Sequence, residues 1–298
     1  STLMRSSAAS DVYKRQVLLK TALGLGVAGI GLCIGGVAMG ATITGFDLSR
    51  YGVNTTIKKV AKSAWTTGSD VWDEDWDEIS RLEPTETDKD KEVFETDPFA
   101  DLEFSLSAGE LSFQPYDGDR IRIEVSGAKK DKVRVGKDDG SLVLETTGRT
   151  QDRKILVSYP QGYTFDETSI EIAAGTVTLK EGFNTGELDV SVAAGEFTNT
   201  GRLTAREVSI EVGAGNVELS ELDTKELEAD CGVGNIELNI SGRETDYNYE
   251  ISCAAGEVEV GGSSYSGIGH SKEITNPNAK GDMELNCGVG NITVTFTE

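Results

Sequence analysis

The residues able to do chemistry in this chain are few. There is one histidine, His270, and there are four cysteines, Cys33, Cys231, Cys253 and Cys287. A single histidine excludes any multi-histidine metal centre and leaves His270 alone for imidazole acid–base work. His270 lies in Gly-Ser-Ser-Tyr-Ser-Gly-Ile-Gly-His-Ser-Lys, a Gly/Ser-rich stretch that reads as a surface loop. Ser263, Ser264 and Ser266 stand nearby, but no Gly-x-Ser-x-Gly elbow exists to raise a nucleophile. The Gly-Ile-Gly and Gly-Val-Gly runs lack the Lys-Ser/Thr and the helix of a phosphate loop. No catalytic residue and no cofactor-binding residue is therefore assigned, and the sequence predicts a protein that is not an enzyme.

Acid is the abundant functional group. Fifty-one Asp and Glu stand against 28 Lys and Arg, a formal charge of −23 over 298 residues. Such a chain is a poor partner for nucleic acid, whose phosphates need clustered bases. Glu218, Glu237 and Glu259 recur at one offset in successive repeats, and Glu211 and Asp230 face the same solvent side. Stacked carboxylates about 5 Å apart repel unless a cation lies between them. The row reads as a solvated, aggregation-resistant face, or as a weak Ca2+ site or a surface for cationic peptides and wall polymers. No Asp-x-Asp-x-Asp-Gly spacing is present to make the calcium reading specific.

The elements that carry these groups are repeats. Seven segments align on a glycine at Gly109, Gly175, Gly195, Gly215, Gly234, Gly256 and Gly290, with central spacings of 20, 20, 19 and 22 residues. Apolar residues stand five and three before the glycine and two and four after it, the period-2 pattern of half-buried strands. Small residues just before the glycine suit a tight corner. Each repeat is thus strand, corner, strand and polar connection, which predicts an all-β, single-stranded β-solenoid of either hand. A meander of hairpins is the alternative, although Ala-Gly is a weak hairpin turn. Cys231, Cys253 and Cys287 fall in a slot that Leu, Ile or Val fills in the other repeats, and so read as core thiols. A disulfide between neighbouring coils or a metal ladder stays open, since stacked strands lie near 4.8 Å apart.

Upstream the composition changes. Residues 1–16 look like translated adaptor sequence or a cytoplasmic leader. Residues 17–46 read as a transmembrane helix, uncharged from Thr21 to Phe46, with small-xxx-small spacings at Gly31/Gly35 and Gly36/Gly40. Cys33 belongs to this span. A cleaved signal peptide ending near Ala38-Met39-Gly40 is the competing reading. Bases before the span and acid after it put the C-terminal bulk outside the membrane. Residues 47–91, with Trp65, Trp72 and Trp76 among acids, form an acidic stalk, and residues 92–298 form the repeat domain.

Lys154-Ile-Leu-Val-Ser-Tyr-Pro-Gln-Gly162 leading into Ile170-Glu-Ile-Ala-Ala-Gly-Thr-Val resembles a recurring bacterial pattern. So do Phe104-Ser-Leu-Ser-Ala-Gly-Glu-Leu and Asp117-Gly-Asp119 with its following Ile121-Arg-Ile-Glu. Together they resemble the putative-adhesin family of unknown function with β-strand repeats, over roughly residues 92–297. The resemblance implies a β-helix-like fold, an envelope-anchored protein and no catalytic residues. Some relatives are tied to envelope-stress responses. The expected partners are the membrane, through the N-terminal helix, and envelope proteins, wall polymers or cationic peptides.

Overall fold

The computed structural model describes residues 79–297, apart from 128–131, 139, 149–151 and 267–269, and gives only the backbone of His270. The expected transmembrane helix over 17–46, Cys33 and the tryptophans of the stalk lie outside the described residues. Among the described residues no helix is long and apolar enough to cross a membrane.

The alternating segments form strands, and equivalent strands of successive repeats pair in parallel and in register, which is the solenoid arrangement and not the meander. One ladder joins β4 (Asp101–Leu106), β10 (Thr164–Ile172), β12 (Phe183–Val192), β14 (Leu203–Val212) and β16 (Glu226–Cys231). A second joins β5 (Gly109–Tyr116), β11 (Gly175–Leu179), β13 (Glu196–Asn199), β15 (Asn216–Asp223) and β17 (Asn235–Ser241). The corners lie between the two ladders.

A further bend divides the long strands. Val192, Val190 and Leu188 point inward, then the inward phase slips by one to Thr185 and Phe183, and the pairing omits Gly186. The same slip occurs at Asp166 and Arg206. Thr185 Oγ1 donates to the carbonyl of Glu187 (2.8 Å), and Thr224 Oγ1 to that of Glu226 (3.0 Å), so a buried hydroxyl fixes the bend locally. Each rung therefore has three sides.

The order of rungs departs from chain order at both ends. β8 (Ser141–Thr146) and β9 (Lys154–Pro160) stack outside β4 and β5, although they follow them in sequence. At the other end β22 (Gly281–Cys287) and β23 (Asn291–Thr297) lie directly on β16 and β17. β18 (Tyr247–Cys253) and β19 (Glu257–Val260) lie beyond them as the outermost rung. The expected succession of the Gly234, Gly256 and Gly290 repeats is thus corrected to Gly234, Gly290, Gly256. The 22-residue step reflects a chain that skips a rung and returns to fill it.

Antiparallel strands cover both ends. β20 (Ser263–Ser266) and β21 (His270–Ile274) close the C-terminal side, so the stretch expected to be a surface loop carries two capping strands. β6 (Ile121–Ser126) and β7 (Val133–Asp138) close the other, followed by β3 (Lys91–Thr96) on β6. β1 (Ser80–Arg81) pairs with β7 and β2 (Glu86–Thr87) with β3, so pairing already begins at Ser80. Capping matters physically, because a bare rung would expose a row of unpaired backbone groups.

The core runs the length of the stack. Leu106, Ile172, Val192, Val212 and Cys231 form one inward row, and each buried aliphatic side chain contributes about 1.5–3 kcal/mol. Aromatic rings fill the N-terminal end, with Phe165 stacked on Phe183 (5.4 Å between centroids) and Tyr159 edge-on to both.

Candidate functional site: a face of stacked carboxylates

The corner glycines set the geometry of everything between them. A Cβ at Gly175, Gly195, Gly215, Gly234, Gly290 or Gly256 would come within 3.0 Å of the carbonyl oxygen of the glycine on the adjoining rung. The column must therefore be glycine for space, and it holds the rungs in exact register. Register turns each outward position into a row running along the stack.

Eight residues before the corner glycine this row reads Asp101, Glu167, Glu187, Glu207, Glu226, Asp282 and Asn248. Six before it stand Glu103, Ser169, Asp189, Ser209, Glu228, Glu284 and Glu250. Four before it stand Ser105, Glu171, Ser191, Glu211, Asp230, Asn286 and Ser252. These three rows lie side by side on one flat side of the stack and contain only Asp, Glu, Ser and Asn. At the strand spacing of about 4.8 Å, Glu167, Glu187, Glu207 and Glu226 in the first row each have like charge on both sides.

The electrostatic consequence is visible in individual groups. Asp230 is pushed up to about 7 by burial and by Glu228, Glu211 and Glu284, against a hydrogen bond with Asn286. Asp189 is pushed up to about 6 by burial first, then by Glu187, Glu167, Glu207 and Glu211. Glu211 and Glu167 are raised too, mainly by burial. Ser191 Oγ donates to Glu211 (3.3 Å), which partly relieves that carboxylate. An open groove of about 530 Å³ crosses this side, lined among others by Glu207, Glu226, Glu228, Glu250, Asp282 and Glu284. Its acidic lining draws positive charge to the groove as a whole.

The row expected from sequence lies elsewhere. Glu218, Glu237 and Glu259 are on the side formed by β15, β17, β23 and β19. Glu218 and Glu237 are neighbours, but Thr293 stands between Glu237 and Glu259, so the three are not consecutive. This follows from the insertion of β23. Glu211 and Asp230, expected to share their solvent side, instead belong to the face of the three rows. Beside Glu237 and Glu259 runs an amide ladder in which Asn291 donates to Asn235 (3.1 Å) and Asn235 to Asn216 (3.2 Å). Among the described residues no group of three or more His, Cys, Asp or Glu is arranged to hold a metal ion. The expected core thiols are buried as read, in the spatial order Cys231, Cys287, Cys253.

The main carboxylate row lies eight residues before the glycine, outside the alternation that marks the strands near the corner. Its sequence signal is the offset itself, since every one of the seven repeats carries Asp, Glu or Asn there.

No curated protein matches the chain. Among solved structures, a putative cell adhesion protein from Clostridium sporogenes is 12% identical, covering 70% of this chain and 99% of its own, with a TM-score of 0.40. A putative adhesin from Bacteroides fragilis is 17% identical over 70% of this chain and 98% of its own, with a TM-score of 0.38. A putative adhesin from Parabacteroides merdae is 15% identical over 70% and 97%, with a TM-score of 0.33. The Toastrack DUF4097 profile matches residues 99–298, from just before β4 onward. The chain belongs to the Toastrack DUF4097 family.

Proposed function

We propose that this protein is a non-enzymatic cell-envelope protein, anchored by residues 17–46, whose solenoid is held outside the membrane to contact envelope proteins or wall polymers. The observation that carries the reading is the flat side of three registered rows, built of Asp, Glu, Ser and Asn alone. A stacked sheet reorganises little on binding, so it presents a fixed lattice of charge at the rung spacing.

A second reading is favoured by the raised carboxylates. Asp189 and Asp230 are held away from ionisation partly by neighbouring acids, and a cationic peptide laid along the rows would relieve that repulsion. In this reading the protein senses envelope stress by capturing such peptides, and divalent cations compete for the same face.

The test is binding of the full chain to purified cell wall and to an oligolysine peptide across a salt series. Peptide binding should fall by at least tenfold between 50 and 200 mM salt, by a rough estimate for several ion contacts. Replacing Glu187, Glu207 and Glu226 by Gln should weaken it by about tenfold, while replacing Glu218, Glu237 and Glu259 should have a smaller effect. Wall binding that ignores salt and both triple variants would remove this face from the function. Release of soluble wall fragments would overturn the non-enzymatic reading.

A further inference from the structure

Sulfur is concentrated where the stack is out of chain order. In the inward row that holds Leu106, Ile172, Val192 and Val212, the next three rungs hold Cys231, Cys287 and Cys253. All three thiols are buried, and aliphatic side chains fill the same place in the other rungs, so packing does not call for sulfur here. The middle thiol, Cys287, belongs to the C-terminal rung inserted between β16 and β18.

The thiols lean along the stack. A Cβ on Gly290 would lie 2.7 Å from Cys231 Sγ, so Cys231 reaches toward the rung that carries Cys287. A Cβ on Gly256 would likewise lie 2.6 Å from Cys287 Sγ. Cys231 Sγ donates to the Gly234 carbonyl (3.0 Å) and Cys287 Sγ to that of Gly290 (2.8 Å). Registered parallel strands put their Cα atoms about 4.8 Å apart, inside the roughly 4.4–6.8 Å range of a disulfide. The two thiols also influence each other, Cys287 pulling the Cys231 thiol below its ordinary value, and Cys231 together with burial pushing Cys287 above. Cys231 is therefore the better thiolate, and Cys253 is raised by its burial.

We propose that Cys231 and Cys287 form a reversible disulfide that locks the inserted C-terminal rung in its slot, with Cys253 remaining a thiol. The oxidant is a peroxide, small enough to reach a buried row. The Cys231 thiolate attacks one peroxide oxygen, giving a sulfenic acid and releasing the other oxygen as water. The Cys287 sulfur then attacks the sulfenic sulfur, expelling the second water as the S–S bond forms. Two thiols lose two electrons and two protons, and hydrogen peroxide becomes two waters. The closed loop contains β17, the outermost rung and its capping hairpin, while β23 lies beyond it. This inference does not depend on what the carboxylate face binds.

The experiment treats the full chain with a small excess of hydrogen peroxide, then alkylates it under denaturing conditions and maps the cysteine peptides by mass spectrometry. The expected result is loss of two thiols, a linked peptide pair joining Cys231 to Cys287, and reversal by dithiothreitol. Closing a loop of this size should raise Tm on the order of 10 °C. Cys287→Val, the residue that two other rungs carry in this row, should leave Cys231 and Cys253 without a disulfide and remove the Tm rise. Cys253→Val should leave the bond intact. A Cys253–Cys287 bond, an intermolecular bond, sulfinic acid without a bond, or three unreacted thiols in the folded protein would each overturn the proposal.

Discussion

Gly256 packs on Gly290, which follows it in the chain, and not on Gly234, its predecessor in the repeat series. Each corner glycine after Gly109 sits where a Cβ would strike the carbonyl of the corner glycine on the adjoining rung, so the column works only without side chains. Gly234→Ala would drive its Cβ into the Gly215 carbonyl. Overpacking of this kind costs about 1–3 kcal/mol, which lowers Tm by roughly 2–10 °C in a domain of this size. Thermal unfolding by circular dichroism checks it. An unchanged Tm would show that the column has room to shift.

The insertion of β22 and β23 makes a second expectation. Ending the chain at Lys280 removes the rung between β16–β17 and β18–β19. The outermost rung then loses its partner although all its residues are present. Limited proteolysis should cut within 243–280 first and leave 99–241 resistant. Equal protection of both parts would mean that the outermost rung can close directly onto β16.

Acid should stabilise this protein over part of the pH range. Asp230 and Asp189 have folded values of about 7 and about 6, above an ordinary aspartate near 3.8. The folded state thus binds protons more tightly than the unfolded chain. Their favourable contribution is fully present below pH 3.8 and is lost as pH rises through 6 and 7. Glu124 works in the other sense, because Lys91 and Arg122 hold it low and its contribution disappears on acidification below its ordinary 4.5. Tm should therefore rise from pH 8 to about pH 5 and then fall. Asp230→Asn should raise Tm at pH 8 by several degrees, leave it unchanged only below pH 3.8, and flatten the slope between.

Arg153 is fully buried where the first rung turns its corner. Its guanidinium donates to the carbonyls of Thr147 (2.6 Å) and Ala108 (2.8 Å) and to Ser107 Oγ (3.2 Å). Burial lowers it to about 10, still charged at neutral pH. Arg153→Ala leaves two buried carbonyls without these donors and opens a cavity, costing about 3 kcal/mol and lowering Tm by roughly 6–12 °C. Arg153→Lys keeps the charge but not the fork of donors, and should recover less than half of the loss. Calorimetry of the two variants decides whether geometry or charge matters there.

Much of the architecture was legible because it is written locally. Alternation around Gly195 and Gly215 dictates strands and their inward residues, and a glycine with small predecessors dictates the corner. Equal offsets then dictate registered stacking, since only like-on-like pairing buries every Val and Ile at once. The buried place of Cys231, Cys253 and Cys287 followed from the same offsets. The bends at Gly186 and Arg206 are not legible in the sequence, because a one-residue slip in inward phase leaves only a faint mark in a period-2 pattern.

What the sequence alone determined is the rung: its strands, its corner and which residues face inward. The tertiary structure decided which rung lies on which. Rungs of nearly equal pattern offer nearly equal pairing surfaces, so local signals cannot rank them. The choice falls to the connections and caps at the two ends. Hence Thr293 separates Glu237 from Glu259, Cys287 lies between Cys231 and Cys253, and Asp282 completes the carboxylate row that begins at Asp101.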